Sequence, residues 1–397
     1  MDRYKSFFRG IAYAGYCIVF LFAVYTFEKS IPDQIYVKAG EAIDYQFQVP
    51  VTMEIQEDSS PVAKSTNNAN VRQSYIVTCR LFGIFPVKDI EVVLVDGDAV
   101  YAGGMPIGIY VKTRGVLVIG TSEVERPDGS EAAPAENILK AGDYILSVNG
   151  EKVAEKEDLQ RLVQQNGAEK EILKINRKGE EVEVGVTPVQ NKNGTYMLGA
   201  WVRDDLAGIG TLTYYKEDGT YGALGHDVGE RIQMREGYVY NAQIIGVKKG
   251  QKGNPGELSG MIRYQSADCL GTIEENTDIG IYGKLDGNIA ALPRGDYYNI
   301  CYKQDIKQGP ATIICGFTGE KKEYAIEIES LDYSGDEENK GILFKVTDER
   351  LLDLTGGIVQ GMSGSPIIQN GKMIGAVTHV FVSDASMGYG IFIEKML

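Results

Sequence analysis

Apolar and polar residues alternate one by one through long parts of this chain, as in Ile35-Tyr36-Val37 and Tyr45-Gln46-Phe47-Gln48-Val49. Successive side chains of an extended strand point to opposite faces, so a period of two predicts half-buried strands rather than helices. β-Branched runs recur to the end of the sequence, and 48 glycines punctuate them. Glycine supplies the tight turns between short strands, and the expected fold class is mainly β. A chain of 397 residues can hold two or three separate cores.

The N-terminus breaks this pattern. Residues 10–27, GIAYAGYCIVFLFAVYTF, carry no charge, with Arg3, Lys5 and Arg9 before them and Glu28 and Lys29 after. About 18 apolar residues is the least that crosses a bilayer as a helix. A transmembrane signal anchor is therefore expected over residues 10–28. The basic residues hold the N-terminus, residues 1–9, in the cytoplasm and put the body outside it. The stretch ends in the bulky Tyr25-Thr26-Phe27-Glu28, a poor cleavage site, which favours an anchor over a removed signal peptide.

The formal net charge of −15 repels phosphate backbones and excludes nucleic acid as a partner. Five cysteines show no CxxC pair, the only histidines are His226 and His379, and there is no HExxH. Zinc chemistry is thereby excluded, no metal or cofactor is called for, and the cysteines read as buried free thiols.

Residues 29–94 read as a β-rich stalk. Within it residues 58–72, from Asp58-Ser59-Ser60-Pro61 through Asn67-Asn68-Ala69-Asn70 to Arg72, are small, polar and without periodicity. They read as an exposed linker open to proteolysis. Residues 95–195 carry the loop Pro106-Ile107-Gly108-Ile109, the turn Ala141-Gly142-Asp143, the strand end Val148-Asn149-Gly150 and helical spacing at Leu159, Leu162 and Val163. This order resembles a PDZ domain. The resemblance implies a groove beside Ile107, Gly108 and Ile109 in which a peptide adds as a strand. Packing of a core alone also accounts for Leu159 and Leu162.

Residues 196–397 carry the chemistry. Gly361-Met362-Ser363-Gly364-Ser365-Pro366 places a serine on a tight turn, where its Oγ is exposed and nearby amides face a developing oxyanion. The pattern is that of trypsin-like peptidases, which implies Ser363 as nucleophile and the amides of Gly361 and Ser363 as the oxyanion hole. His226, glycine-flanked and upstream, is the candidate base. His379 falls where a strand should border the cleft. Two aspartates compete as third member, Asp348 shortly before the serine and Asp278 where a trypsin-like chain usually places it. Asp227 adjoins His226 too closely to reach back to the ring.

Taken together, these residues resemble the stage IV B sporulation peptidases of endospore-forming bacteria. The matches are the anchor, Leu81-Phe82-Gly83 with Pro86-Val87-Lys88, Gly210-Thr211-Leu212-Thr213, Ala223-Leu224-Gly225-His226, Thr355–Pro366 and Gly375–Val380. The resemblance implies a PDZ-containing, trypsin-like β-barrel serine endopeptidase with the triad His226, Asp348 and Ser363. It implies a single-pass protein of the forespore inner membrane, facing the intermembrane space. Its substrates would be itself, cut near the N-terminus, and a membrane-bound regulatory complex of an intramembrane protease, which leads to activation of a late sigma factor. Self-cleavage is expected in or near residues 55–72. Asp227 follows His226 where a smaller residue is expected. Two other readings are a membrane-tethered peptide-binding adaptor with an inactive peptidase domain, and an envelope quality-control protease. The latter normally carries its PDZ domain after the protease domain.

Overall fold

The computed structural model describes residues 31–38, 51–55, 62–65, 71–95, 99–229, 233–286, 296–333 and 337–397, with five positions between Gly15 and Glu28. The expected anchor lies largely outside the described residues. Among them no helix is long and apolar enough to cross a membrane.

Five strands open the chain: β1 (Gln34–Lys38), β2 (Val51–Ile55), β3 (Val62–Ser65), β4 (Val71–Leu81) and β5 (Phe85–Val95). They form one sheet in the order β1-β5-β4-β2, with β3 also on β4. Part of the segment read as a linker is thus laddered, since β3 pairs with Val71–Ser74. Ile31, Ile35, Val77, Cys79, Ile90 and Val92 form the core of this sheet.

The chain then runs through β6 (Ala99–Ala102) and the long β7 (Pro106–Thr121). Next come β8 (Val124–Glu125), β9 (Glu131–Ala132), β10 (Tyr144–Val148), β11 (Glu151–Lys152), helix α1 (Lys156–Asn166), β12 (Glu171–Arg177), β13 (Glu180–Val186), β14 (Val189–Gln190) and β15 (Tyr196–Met197). The 16-residue β16 (Ala200–Tyr215) follows, then β17 (Thr220–Ala223), β18 (Met234–Lys248), β19 (Glu257–Ile262), β20 (Cys269–Thr277), β21 (Gly280–Leu285) and β22 (Tyr297–Ile300).

Pairing closes a first barrel through β7, β16, β17, β21, β20 and β18, which returns to β7. Inward residues such as Ile107, Ile109, Leu212, Tyr221, Val239 and Ile281 fill it. A second barrel closes through β23 (Gly309–Cys315), β24 (Lys322–Leu331), β25 (Ile342–Val346), β28 (Asp384–Phe392), β27 (Lys372–Phe381) and β26 (Pro366–Gln369). Its core includes Ile313, Tyr324, Phe344, Ile367 and Val377. Closure leaves no strand edge to aggregate and fixes the loops at the barrel ends.

The segment between β7 and β16 is an insertion in the first barrel. The first half of β7 and the last half of β16 belong to the barrel, whereas Leu117–Thr121 and Ala200–Arg203 pair with each other beside β10. A separate core of Val116, Ile145, Leu159, Leu162, Leu173 and Ile175 sits here, so Leu159 and Leu162 do pack inward. The barrel thus takes in β6 and β7, which fall inside the range 95–195 expected for the PDZ-like domain, and the rest of that range is inserted between β7 and β16. The turn Ala141-Gly142-Asp143 is locked by Arg177, whose Nε and Nη2 donate to Asp143 Oδ1 and Oδ2 at 2.8 and 2.6 Å.

Candidate active site

Thr355 ends helix α2 (Glu349–Thr355), and the chain turns through Gly356 and Gly357 at φ of +75° and +131° toward the serine loop. Gly361 and Gly364 hold φ of +97° and +96°, a backbone that side-chain-bearing residues rarely adopt. A Cβ on Gly364 would also lie 2.1 Å from the Thr211 carbonyl oxygen and 2.6 Å from the Leu224 amide nitrogen. The glycine therefore lets the serine loop of one barrel press against the histidine loop of the other.

Thr211 fastens the two. Its Oγ1 donates to the Gly361 carbonyl at 2.8 Å, and its amide donates to the Ser363 carbonyl at 3.0 Å. Within the serine loop, the amides of Met362, Gly364 and Ser365 donate to Val359, Val377 and Met362 carbonyls. The amides of Gly361 and Ser363 find no acceptor among the described residues. Two free N–H groups flanking a serine form an oxyanion-binding arrangement. Ser363 Oγ itself donates to the Thr378 carbonyl at 2.8 Å.

His226 follows Leu224 and Gly225, at φ of +72° and +73°. A Cβ on Gly225 would sit 2.7 Å from Thr378 Cγ2, which places the loop directly beside the strand that holds Ser363. The ring of His226 lies 5.5 Å from that of His379, centroid to centroid. Its Nδ1 is 2.7 Å from the Asp227 carbonyl oxygen. A carbonyl only accepts, so Nδ1 carries the hydrogen and Nε2 keeps the lone pair that a general base needs. Burial first, and the neighbouring His226 second, push His379 down to about 4. His379 Nδ1 is buried with no hydrogen-bond partner among the described residues.

Asp348 does not meet the expectation that it orients His226. It caps helix α2, with Oδ1 accepting from the Arg350 amide at 2.9 Å and Nε at 3.0 Å, and Oδ2 accepting from Arg350 Nη2 at 2.7 Å and the Ala325 amide at 3.1 Å. The Arg350 guanidinium, above all, holds its carboxyl at about 2. His379 lies opposite Tyr389 and Tyr389 opposite Leu343. Asp348 lies two residues past Val346, the end of β25, where the chain turns into α2. Asp278 lies nearer the histidine loop, in the turn between β20 and β21. Ala223 pairs with Ile281, and Asn276 grips Val228 through both its amide oxygen and nitrogen, at 2.8 and 3.1 Å.

Ile107, Gly108 and Ile109 are not a free peptide-binding edge. They pair with Gly210, Ile209 and Gly208 on one side and Asn241, Tyr240 and Val239 on the other. A Cβ on Gly108 would collide with the Ile262 side chain at 2.6 Å, so this glycine serves packing. Among the described residues the PDZ-like sheet has two unpaired outer edges, that of β13 and that of Ala200–Val202, and the second flanks a groove. This groove, of about 550 Å³, is lined by Leu159, Val163, Tyr196, Leu198, Ala200 and Val202.

A family model described as SpoIVB peptidase S55 matches residues 194–397, half of the chain. The chain belongs to this family. A PDZ domain model matches residues 127–177, inside the insertion. This member of the SpoIVB peptidase S55 family is therefore a PDZ-containing serine peptidase. No curated protein matches the chain. Among solved structures, the PDZ domain of an SdrC-like protein from Listeria monocytogenes is 19% identical, covering 23% of this chain and 90% of its own, with a TM-score of 0.19. An HtrA-type protease with decapeptide is 10% identical, covering 74% of this chain and 61% of its own, with a TM-score of 0.28. Scores this low carry no argument about the site.

Proposed function

We propose that this S55 peptidase is a membrane-anchored endopeptidase of sporulation signalling in which Ser363 is the nucleophile and His226 the general base. The observation that supports it most is the pair of unengaged amides, Gly361 and Ser363, beside a hydroxyl that shares its strand neighbour, Thr378, with the His226 loop. In the reaction Ser363 Oγ turns from the Thr378 carbonyl toward His226 Nε2, gives up its proton there and attacks the scissile carbonyl. The oxyanion accepts from the Gly361 and Ser363 amides. The imidazolium returns the proton to the leaving amine, and water then releases the acyl group by the same path. The Asp227 carbonyl keeps the ring in the required tautomer, and Asp278 is the carboxylate that stabilises the imidazolium.

The N-terminal segment anchors the chain, with its body in the space between forespore and mother-cell membranes. Its substrates are its own residues 55–72 and a membrane-bound regulatory complex of an intramembrane protease, whose cleavage leads to activation of a late sigma factor. The groove between α1 and Ala200–Val202 receives an extended peptide as an added strand. Intact-mass measurement tests self-cleavage. Wild type should lose its N-terminal residues and Ser363→Ala should not; an untruncated wild type, or equal truncation in both, overturns it.

One observation favours a second reading, an adaptor whose peptidase domain is silent: Ser363 Oγ is bonded to the Thr378 carbonyl and not to His226. Retained peptide binding without any serine reactivity would support that reading.

A further inference from the structure

The β4–β5 hairpin ends in Leu81-Phe82-Gly83-Ile84-Phe85, and its tip is apolar and exposed. Phe82, Ile84 and Phe85 are 63%, 67% and 62% exposed. Isolated apolar residues on a surface need no explanation, but three at one turn form a patch. The backbone makes the patch stranger. Phe82 and Gly83 hold φ of +54° and +71°, a left-handed turn that suits glycine or asparagine. An aromatic residue in that backbone gains nothing from folding while its ring lies in water. Something outside the sheet must repay it.

The direction of the tip identifies what. β1 runs parallel to β5, with Gln34 opposite Glu91. Just before it, the Asp33 carbonyl accepts from the Glu91 amide at 2.9 Å, and the Ile31 carbonyl accepts from Lys88 Nζ at 2.6 Å. The chain therefore climbs along β5 from the tip end. Ile31, where the continuous described chain begins, thus enters the sheet from the side on which Phe82, Ile84 and Phe85 project, and the uncharged stretch of residues 10–27 precedes it in the sequence. The opposite end of the sheet docks on the peptidase, where Tyr36 stacks on Tyr302 at 5.0 Å and β5 leads on to β6. Among the described residues the basic groups beside the tip are engaged, Arg80 by Glu54 at 2.7 Å and Lys88 by Asp33 at 2.7 Å. Contact through this tip would thus be apolar rather than a charge attraction to lipid headgroups.

We propose that the hairpin tip Phe82–Phe85 inserts into the interface of the lipid bilayer that holds the N-terminal segment, making a second membrane contact. This rests on the anchored reading above. Aromatic and aliphatic side chains on a rigid turn partition into the headgroup–acyl boundary. A strand of 11 residues is about 35 Å long, so the sheet stands the two barrels roughly that far from the bilayer. An anchor alone would leave the body free to swing; two contacts fix its orientation.

The chain has one tryptophan, Trp201, which is exposed on the PDZ-like part, and this makes the test direct. The full-length chain carrying Trp201→Phe with Ile84→Trp, and separately with Phe85→Trp, is reconstituted in phosphatidylethanolamine/phosphatidylglycerol vesicles. Some of the lipid is brominated at shallow acyl positions. The proposal expects blue-shifted emission from each tip tryptophan, strong quenching by brominated lipid and protection from aqueous iodide. Trp201 in the unmodified chain should show the reverse. Tip tryptophans quenched by iodide as fully as Trp201, in protein that floats with the vesicles, would overturn the proposal and leave the anchor standing. Protection from iodide without quenching by brominated lipid would assign the tip to a protein contact and also overturn it. Failure of the full-length chain to float with vesicles at all would overturn the anchored reading and this proposal together.

Discussion

Ser363 Oγ donates to the carbonyl of Thr378 at 2.8 Å, two residues on that strand from Val380 and one from His379. Among the described residues Thr378, and not His226, thus engages the serine hydroxyl. Its own Oγ1 is tied back to the Asn339 carbonyl, so the holding strand is itself supported.

The two aspartates separate by experiment. Asp348 caps α2 and holds Arg350; asparagine keeps the cap but loses the charged pair with the exposed Arg350, so Asp348→Asn should lower Tm only slightly. It should leave kcat of the folded enzyme within about threefold. Asp278→Asn should do the opposite, slowing turnover at least tenfold with an unchanged Tm. Peptide hydrolysis and thermal melting on the same samples check both. A large kcat loss in folded Asp348→Asn, with none in Asp278→Asn, would restore the triad expected from resemblance.

Acidification should unfold the protein in two windows. His379 is held at about 4 in the fold against about 6.5 in an unfolded chain. The unfolded state therefore binds more protons between these values, and stability falls as pH drops from about 6.5 to 4. Asp348, at about 2, is depressed from about 3.9, so its contribution is present above pH 4 and fades as pH falls toward 2. One proton gives a slope of at most about 1.4 kcal/mol per pH unit. Tm measured against pH should lose the upper window in His379→Gln and the lower one in Asp348→Asn.

Arg177 and Asp143 form a two-pronged pair in which the carboxylate is almost fully shielded from solvent. Removing Arg177 leaves the buried carboxylate with only the Lys140 amide, at 2.8 Å, and no counter-charge, which costs about 3–5 kcal/mol. Arg177→Met should therefore melt the PDZ-like insertion at lower denaturant than the barrels, seen as a first step in hydrogen exchange of β10 and β12. A single unchanged transition would contradict this.

The serine loop and His226 were legible because local chemistry determines them: glycines at left-handed positions, a small-residue turn and a hairpin directly behind it. The place of Ile107, Gly108 and Ile109 was not. Nothing in Pro106-Ile107-Gly108-Ile109 states which sheet the strand joins, and β7 and β16 are shared by the barrel and the inserted domain. Only the long-range register assigns Ile107–Ile109 to the barrel and leaves Ala200–Val202 open. Asp348 carried a usable signal that pointed elsewhere. An aspartate directly before Glu349-Arg350-Leu351-Leu352 is an N-cap pattern, and the structure uses it as one. Thr211 stood in the matching run Gly210-Thr211-Leu212-Thr213, but its role exists only where the two barrels meet.

Reactivity of Ser363 with a fluorophosphonate probe tests the central claim most directly. Folded wild-type protein should be labelled on Ser363, with labelling abolished in Ser363→Ala and slowed by roughly 10³-fold or more in His226→Ala, as expected when the base of a serine peptidase is removed. Folded wild-type protein that stays unlabelled, or His226→Ala that labels at the wild-type rate, would contradict the account.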